Sequence, residues 1–129
     1  MQFTQIKETC LYVSDLETTK AFYSEKLGLE TIGMVENRHI FFRAGSSVLL
    51  CFISEATRND QKLPPHYANG HMHIAFEVNV PDYEAWLEKI ISQGITIEHE
   101  HEWRKGLRSF YFRDPDNHLI EIVPAGMWD

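Results

Sequence analysis

The chain has 129 residues, 43% of them hydrophobic and 24% charged, with 19 acidic against 12 basic side chains for a formal charge of −7. This is one domain's worth of ordinary globular composition, able to bury roughly two-thirds of its extended surface without disulfide staples. The acidic balance and scattered Lys and Arg exclude nucleic acid as an expected partner. The longest run free of both charged residues and histidine, Ala44 to Ser54, is far short of the ~20 residues of a membrane span. No basic-then-apolar leader opens the chain, and the two cysteines, Cys10 and Cys51, sit in apolar stretches, so a cytoplasmic protein with no membrane partner is expected.

Gln5 to Val13 predicts a strand, and Ser14-Asp15 supplies cap chemistry for a helix carrying Leu16, Phe22, Tyr23 and Leu27 until Gly28. Strands are expected at Leu29 to Val35, His39 to Arg43 and Ser47 to Ile53. The polar stretch Glu55 to Gly70 reads as a connection between units. The pattern then restarts with a strand from His71 to Val80 and a helix opened by Pro81-Asp82 with Tyr83, Trp86, Leu87, Ile90 and Ile91 as its apolar face. Strands at about Ile95 to Glu100, Arg108 to Arg113 and His118 to Val123 complete it, the last two joined by Asp114-Pro115-Asp116-Asn117.

The halves share one element order, βαβββ, and they align: Glu8–Val13 lies on His73–Val78 at an offset of 65, and Phe42-Arg43 on Phe112-Arg113 at 70. The expected architecture is therefore α+β, a single domain of two βαβββ modules spanning about 5–54 and 71–124, with a linker at about 55–70.

The chain also resembles the vicinal oxygen chelate superfamily, which groups glyoxalase I, bleomycin-resistance proteins, extradiol dioxygenases and fosfomycin-resistance enzymes. The resemblance rests on Tyr12-Val13-Ser14-Asp15-Leu16, Phe22-Tyr23, Leu27-Gly28-Leu29, His73-Ile74-Ala75-Phe76, and the run Phe110 to Glu121. It implies paired modules with curved mixed sheets around an open cleft, and a divalent metal held by first and last strands. Carried over position by position, the metal ligands fall on Glu8, His73 and Glu121, and the offset of 70 places a fourth position on Cys51. Relatives of this size imply a homodimer, in some cases with Glu8 from one chain and His73 with Glu121 from the other.

Two carboxylates and one imidazole on an otherwise apolar surface carry about two negative charges, which a divalent cation would offset. The set suits one Mn²⁺, Fe²⁺, Ni²⁺ or Zn²⁺ ion, with oxygen-rich ligation favouring manganese or iron. Such an ion binds adjacent oxygens of a small-molecule substrate, and Glu8 or Glu121 can double as a catalytic base. The implied activity is that of a metal-dependent lyase, isomerase, transferase or dioxygenase. The alternative is a metal-free, drug-binding protein of the bleomycin-resistance type. The chain departs from each named activity: glyoxalase I relatives carry a carboxylate where Cys51 stands, and extradiol dioxygenases two His and one Glu. The fosfomycin-type stretch Ser109 to Phe112 lacks the lysine before it, where His101 and Glu102 stand.

Substrate candidates are Cys51, Arg108 and Tyr111, the last two expected on the strand beside Glu121. Arg38, His39, Arg58 and Arg104 read as surface charge, and His71 as a rim residue. The run His99-Glu100-His101-Glu102 reads as a solvated strand end, since alternation sends successive residues to opposite faces. Trp103 and Trp128 are expected as cleft or interface aromatics.

Overall fold

In the first half, β1 (Glu8–Val13) buries alternate residues Leu11 and Val13, and the chain turns at Ser14-Asp15 into a helix. The Asp15 carboxylate accepts the Thr18 amide at 2.9 Å, capping α1 (Leu16–Lys20). The helix continues as a wider π-helical turn over Ala21–Lys26, which ends at Gly28, where φ is +83°. Strands β2 (Glu30–Val35), β3 (His39–Ala44) and β4 (Ser47–Ile53) follow. The sheet order is β1-β4-β3-β2, with β1 and β4 parallel and the other pairs antiparallel. Its core joins Phe22 and Tyr23 of the helix to Leu11, Ile40, Phe42, Leu49 and Cys51. Tyr23 packs on Phe42 at 5.6 Å between ring centroids.

The expected linker is more structured than a polar connection. It opens with α2 (Ser54–Arg58), and its later residues return to that helix: the His66 amide donates to the Thr57 carbonyl at 3.1 Å and the Ser54 hydroxyl to the Ala68 carbonyl at 3.1 Å. Thr57 is fully buried as a result.

In the second half, β5 (His73–Val78) leads through a 3₁₀ turn at Val80–Asp82 into α3 (Tyr83–Ser92), with Tyr83 and Ile90 inward. Then come β6 (His99–Arg104), β7 (Leu107–Arg113) and β8 (Leu119–Pro124) in the order β5-β8-β7-β6, the same topology as in the first sheet. Phe110, Phe112, Ile120 and Ile122 fill the helix-facing side with Tyr83 and Ile90. Ile91, expected on the apolar face of this helix, is exposed.

The architecture is the expected pair of βαβββ modules in a computed structural model, which describes residues 1–104 and 106–129 and divides into the units Met1–Gly70 and His71–Asp129. None of the described helices is long and apolar enough to cross a membrane.

Candidate metal centre

Strand register places His73 and Glu121 on one face of the second sheet. In the parallel β5–β8 pair, His73 stands opposite Leu119 and Ala75 opposite Glu121, and in the antiparallel β7–β8 pair Tyr111 stands opposite Glu121. Side chains two apart on a strand share a face. His73, Ala75, Glu121, Tyr111 and Ser109 therefore lie on the side away from Phe110 and Phe112.

His73 Nε2 lies 3.2 Å from Glu121 Oε2, while its Nδ1 donates to the Leu119 carbonyl at 2.9 Å. A carbonyl only accepts, so Nδ1 carries a proton and Nε2 is the nitrogen presented to the carboxylate. The glutamate is 7% exposed and the imidazole is half exposed. Burial pushes the Tyr111 hydroxyl above its ordinary pKa, with the nearby Glu121 carboxylate adding to that shift and Ser109 opposing it. The indole N–H of Trp103 donates to Ser109 Oγ at 2.8 Å. The bonded pair Trp103 and Ser109 thus shares a face with Tyr111, which stands in register beside the buried carboxylate.

A divalent cation shared by this carboxylate oxygen and the imidazole nitrogen would offset the buried charge. Two ligand atoms each ~2.1 Å from one ion stand ~3.0 Å apart in octahedral and ~3.4 Å in tetrahedral coordination. The observed 3.2 Å fits both, and the anchored Nδ1 is the support a metal-bound imidazole needs. The residues present fit one divalent cation. Glu8 belongs to the first unit, exposed at the start of β1. Among the described residues, no group of three or more His, Cys, Asp or Glu side chains is assembled.

Two substrate candidates stand elsewhere. Cys51 is fully buried on the helix-facing side of the first sheet, paired in register with Leu11 and Ile40. The offset of 70 that selected it is wrong for the last strand. Arg43 pairs with Val48 across one turn and Arg113 with Leu119 across the other, one residue longer. The offset therefore becomes 71 in the last strand, and the first-sheet counterpart of Glu121 is Leu50. A slip of one residue reverses the face. Arg108 has the same parity as Phe110, so it lies on the helix side, where it is ion-paired with Glu84 and, at 2.7 Å, Glu100, and sits over the Tyr83 ring. Tyr111 alone of the three shares the face of Glu121.

The other candidate cations are engaged. Arg38 pairs with Asp60 at 2.9 Å and donates to His39 Nδ1 at 2.6 Å. Arg58 meets Glu55 at 3.3 Å and stacks over Tyr67. Arg104 binds the carbonyls of Gly126, Met127 and Asp129. The His71 ring meets the Asn117 side-chain amide at 3.3 Å, and Trp128 is exposed.

Sequence reasoning misplaced the sixth strand. It runs over His99–Arg104 instead of ending near Glu100, so the His99 to Glu102 run lies inside the strand. His99, His101 and Trp103 then share the face of Tyr111, which stands opposite His99. Their spacing, every second residue, was the available signal. Ser109, buried beneath Trp103, was likewise missed as a site residue.

The family model described as Glyoxalase/Bleomycin resistance protein/Dioxygenase superfamily matches residues 5–122. Glutathione transferase FosA from Serratia marcescens is 32% identical over 87% of this chain and 74% of its own length. A crystal structure described as lactoylglutathione lyase from Agrobacterium tumefaciens superposes with a TM-score of 0.94 at 30% identity, covering 99% of this chain and 98% of that one. A variant of the fosfomycin resistance protein FosX from Listeria monocytogenes, complexed with Mn(II) and 1S,2S-dihydroxypropylphosphonic acid, superposes with a TM-score of 0.70 at 25% identity, covering 95% and 90%.

Proposed function

The chain belongs to the Glyoxalase/Bleomycin resistance protein/Dioxygenase superfamily and sits among its metal-dependent enzymes, and from that premise we propose that Glu8, His73 and Glu121 hold one divalent metal ion that receives a small substrate through adjacent oxygens. The observation that carries this reading is the 3.2 Å approach of His73 Nε2 to the buried Glu121 carboxylate, with Nδ1 anchored on Leu119. We assign Glu8 as the third ligand, supplied in a homodimer by one chain while His73 and Glu121 come from the other. The ion is manganese or iron in preference to nickel or zinc, since the carboxylates outnumber the imidazole. The protein works in the cytoplasm, where the thiols of Cys10 and Cys51 stay reduced.

When bound, the metal polarises the substrate's oxygens as a Lewis acid. The chain's own residues do the rest. The Leu119 carbonyl fixes the imidazole tautomer, and Tyr111 stands in register beside the Glu121 carboxylate. A carboxylate of the set, Glu8 or Glu121, takes up a proton that the substrate releases. This chemistry serves isomerisation, lyase, addition or ring-opening reactions of small oxygenated molecules. The glutathione-directed reactions for which the FosA and lactoylglutathione lyase relatives are named, and the fosfomycin resistance for which FosX is named, are the first to assay.

Electron spin-echo spectroscopy of the Mn(II)-loaded protein tests the reading. One coordinated imidazole nitrogen is expected, and His73→Ala should abolish its signal. A manganese signal without nitrogen coupling, or one retained in His73→Ala, would rule the site out. Dilution below the dimer dissociation constant should release the ion, and a monomer with full occupancy would contradict the shared arrangement.

A further inference from the structure

Five π-bearing side chains run from the candidate metal centre to the edge of the second sheet. His73 and Tyr111 ring centroids are 6.3 Å apart, Tyr111 and His99 6.0 Å, His99 and His101 5.9 Å, and His101 and Trp103 4.6 Å. The planes of the first four rings lie within 39° of their neighbours, and Trp103 closes the row edge-on at 69°. His73, His99, His101 and Trp103 are exposed and Tyr111 is half buried. Scattered exposed rings need no explanation, but a contiguous row that includes a proposed metal ligand does.

The outer end of the row is held in place. Trp103 is tied to the buried Ser109 by its indole N–H, and the rings between it and Tyr111 contact one another in sequence. Rigid aromatic contacts of this kind lose little conformational entropy on binding. The guanidinium groups of this unit are engaged: Arg104 with the C-terminal carbonyls, Arg108 with Glu84 and Glu100 on the other face, and Arg113, which shares the face of Tyr111, with Glu98 at 2.7 Å. The row itself therefore offers π-faces beside an arginine whose charge is already paired.

We infer that this row is the specificity surface of the site, and that the substrate carries an aromatic ring next to its chelating oxygens, the ring lying against Tyr111 and His99. The inference rests on the metal-centre reading for the position of the oxygens. Aromatic rings attract one another at centroid distances of 4.5–7 Å, so a single phenyl group can meet both rings at once while its neighbouring oxygens reach the His73–Glu121 pair.

Mandelate and lactate test this, because they present the same α-hydroxycarboxylate and differ in phenyl against methyl. The Mn(II)-loaded protein should bind mandelate about tenfold more tightly than lactate, with the ratio falling towards one in His99→Ala and restored in His99→Phe. Histidine-ring NMR of the metal-free protein supplies an independent measure: mandelate, not lactate, should shift the His99 and His101 signals. Equal affinities in the wild type, or a ratio unchanged by His99→Ala, would overturn the aromatic surface while leaving the metal centre standing. Ring shifts without any Mn(II) binding would support the surface and remove the metal centre.

Discussion

Replacing Glu121 with leucine should leave the metal-free protein as stable as the wild type or more so, while removing its metal affinity. The carboxylate is 7% exposed, so it carries a desolvation cost of several kcal/mol. Its ionic partner His73 is half in water, so solvent screening limits that attraction to about 1 kcal/mol or less. That attraction does not offset the desolvation cost in full. A leucine between Leu119 and Val123 adds apolar burial, and His73 is not stranded, because it reaches water. The net expectation is a gain of about 1 kcal/mol, or ~3–5 °C in Tm for a chain of this length. Urea unfolding in EDTA measures it. With Mn(II) at a hundred times its Kd the order reverses, since the wild type gains about 2.7 kcal/mol from binding and the variant nothing. A loss above about 2 kcal/mol in EDTA would refute the reasoning and make Glu121 a structural residue.

Thiol titration should find one reactive cysteine per native chain and two after unfolding, because Cys10 is exposed and Cys51 buried. Cys10 should react slowly at neutral pH, since partial desolvation of its sulfur by neighbouring atoms and then Glu8 push its thiol upward although the residue is exposed; two rapidly reacting native thiols would contradict the placement of Cys51. Thr18 hydrogen bonds hold the Asp15 carboxyl below its usual range. A carboxyl lowered on folding stabilises above its unfolded pKa and loses that effect as pH falls through the folded value. Asp15→Ala should therefore lower Tm at neutral pH, with the gap to wild type closing as acidification proceeds below about pH 4; a gap independent of pH would refute the cap. The Tyr83 hydroxyl is buried without a hydrogen-bond partner, so Tyr83→Phe should stabilise by about 1 kcal/mol, and a loss of stability in urea would show that the hydroxyl is satisfied. Arg108→Met should leave Mn(II) affinity within twofold, as its charge faces Glu84 and Glu100; a tenfold loss would return it to the site.

The repeated element order was legible because each module carries its own apolar periodicity and helix punctuation, down to the Asp15 cap and the Gly28 stop. The pair His73 and Glu121 was legible for a related reason, an ionisable residue interrupting Leu119-Ile120-Glu121-Ile122-Val123, where burial demands a partner. Cys51 was misplaced by one extra residue in the Asp114 to His118 turn, a length change that leaves composition untouched and inverts the face. Arg108 failed on the same parity, three residues from Tyr111 and so on the opposite side of β7. The position of β6 was hidden because an edge strand exposed on both faces carries no apolar alternation. Its charged residues, Glu100 and Glu102, protect that edge without announcing it.

The central claim meets its most direct test in elemental analysis of the protein after Mn(II) loading and brief dialysis, with wild type beside His73→Ala, Glu121→Ala and Glu8→Ala. Close to one metal per chain in the wild type and little in each variant is the expected result. A wild type that retains no divalent metal, or a Glu121→Ala protein that retains it fully, would contradict the account.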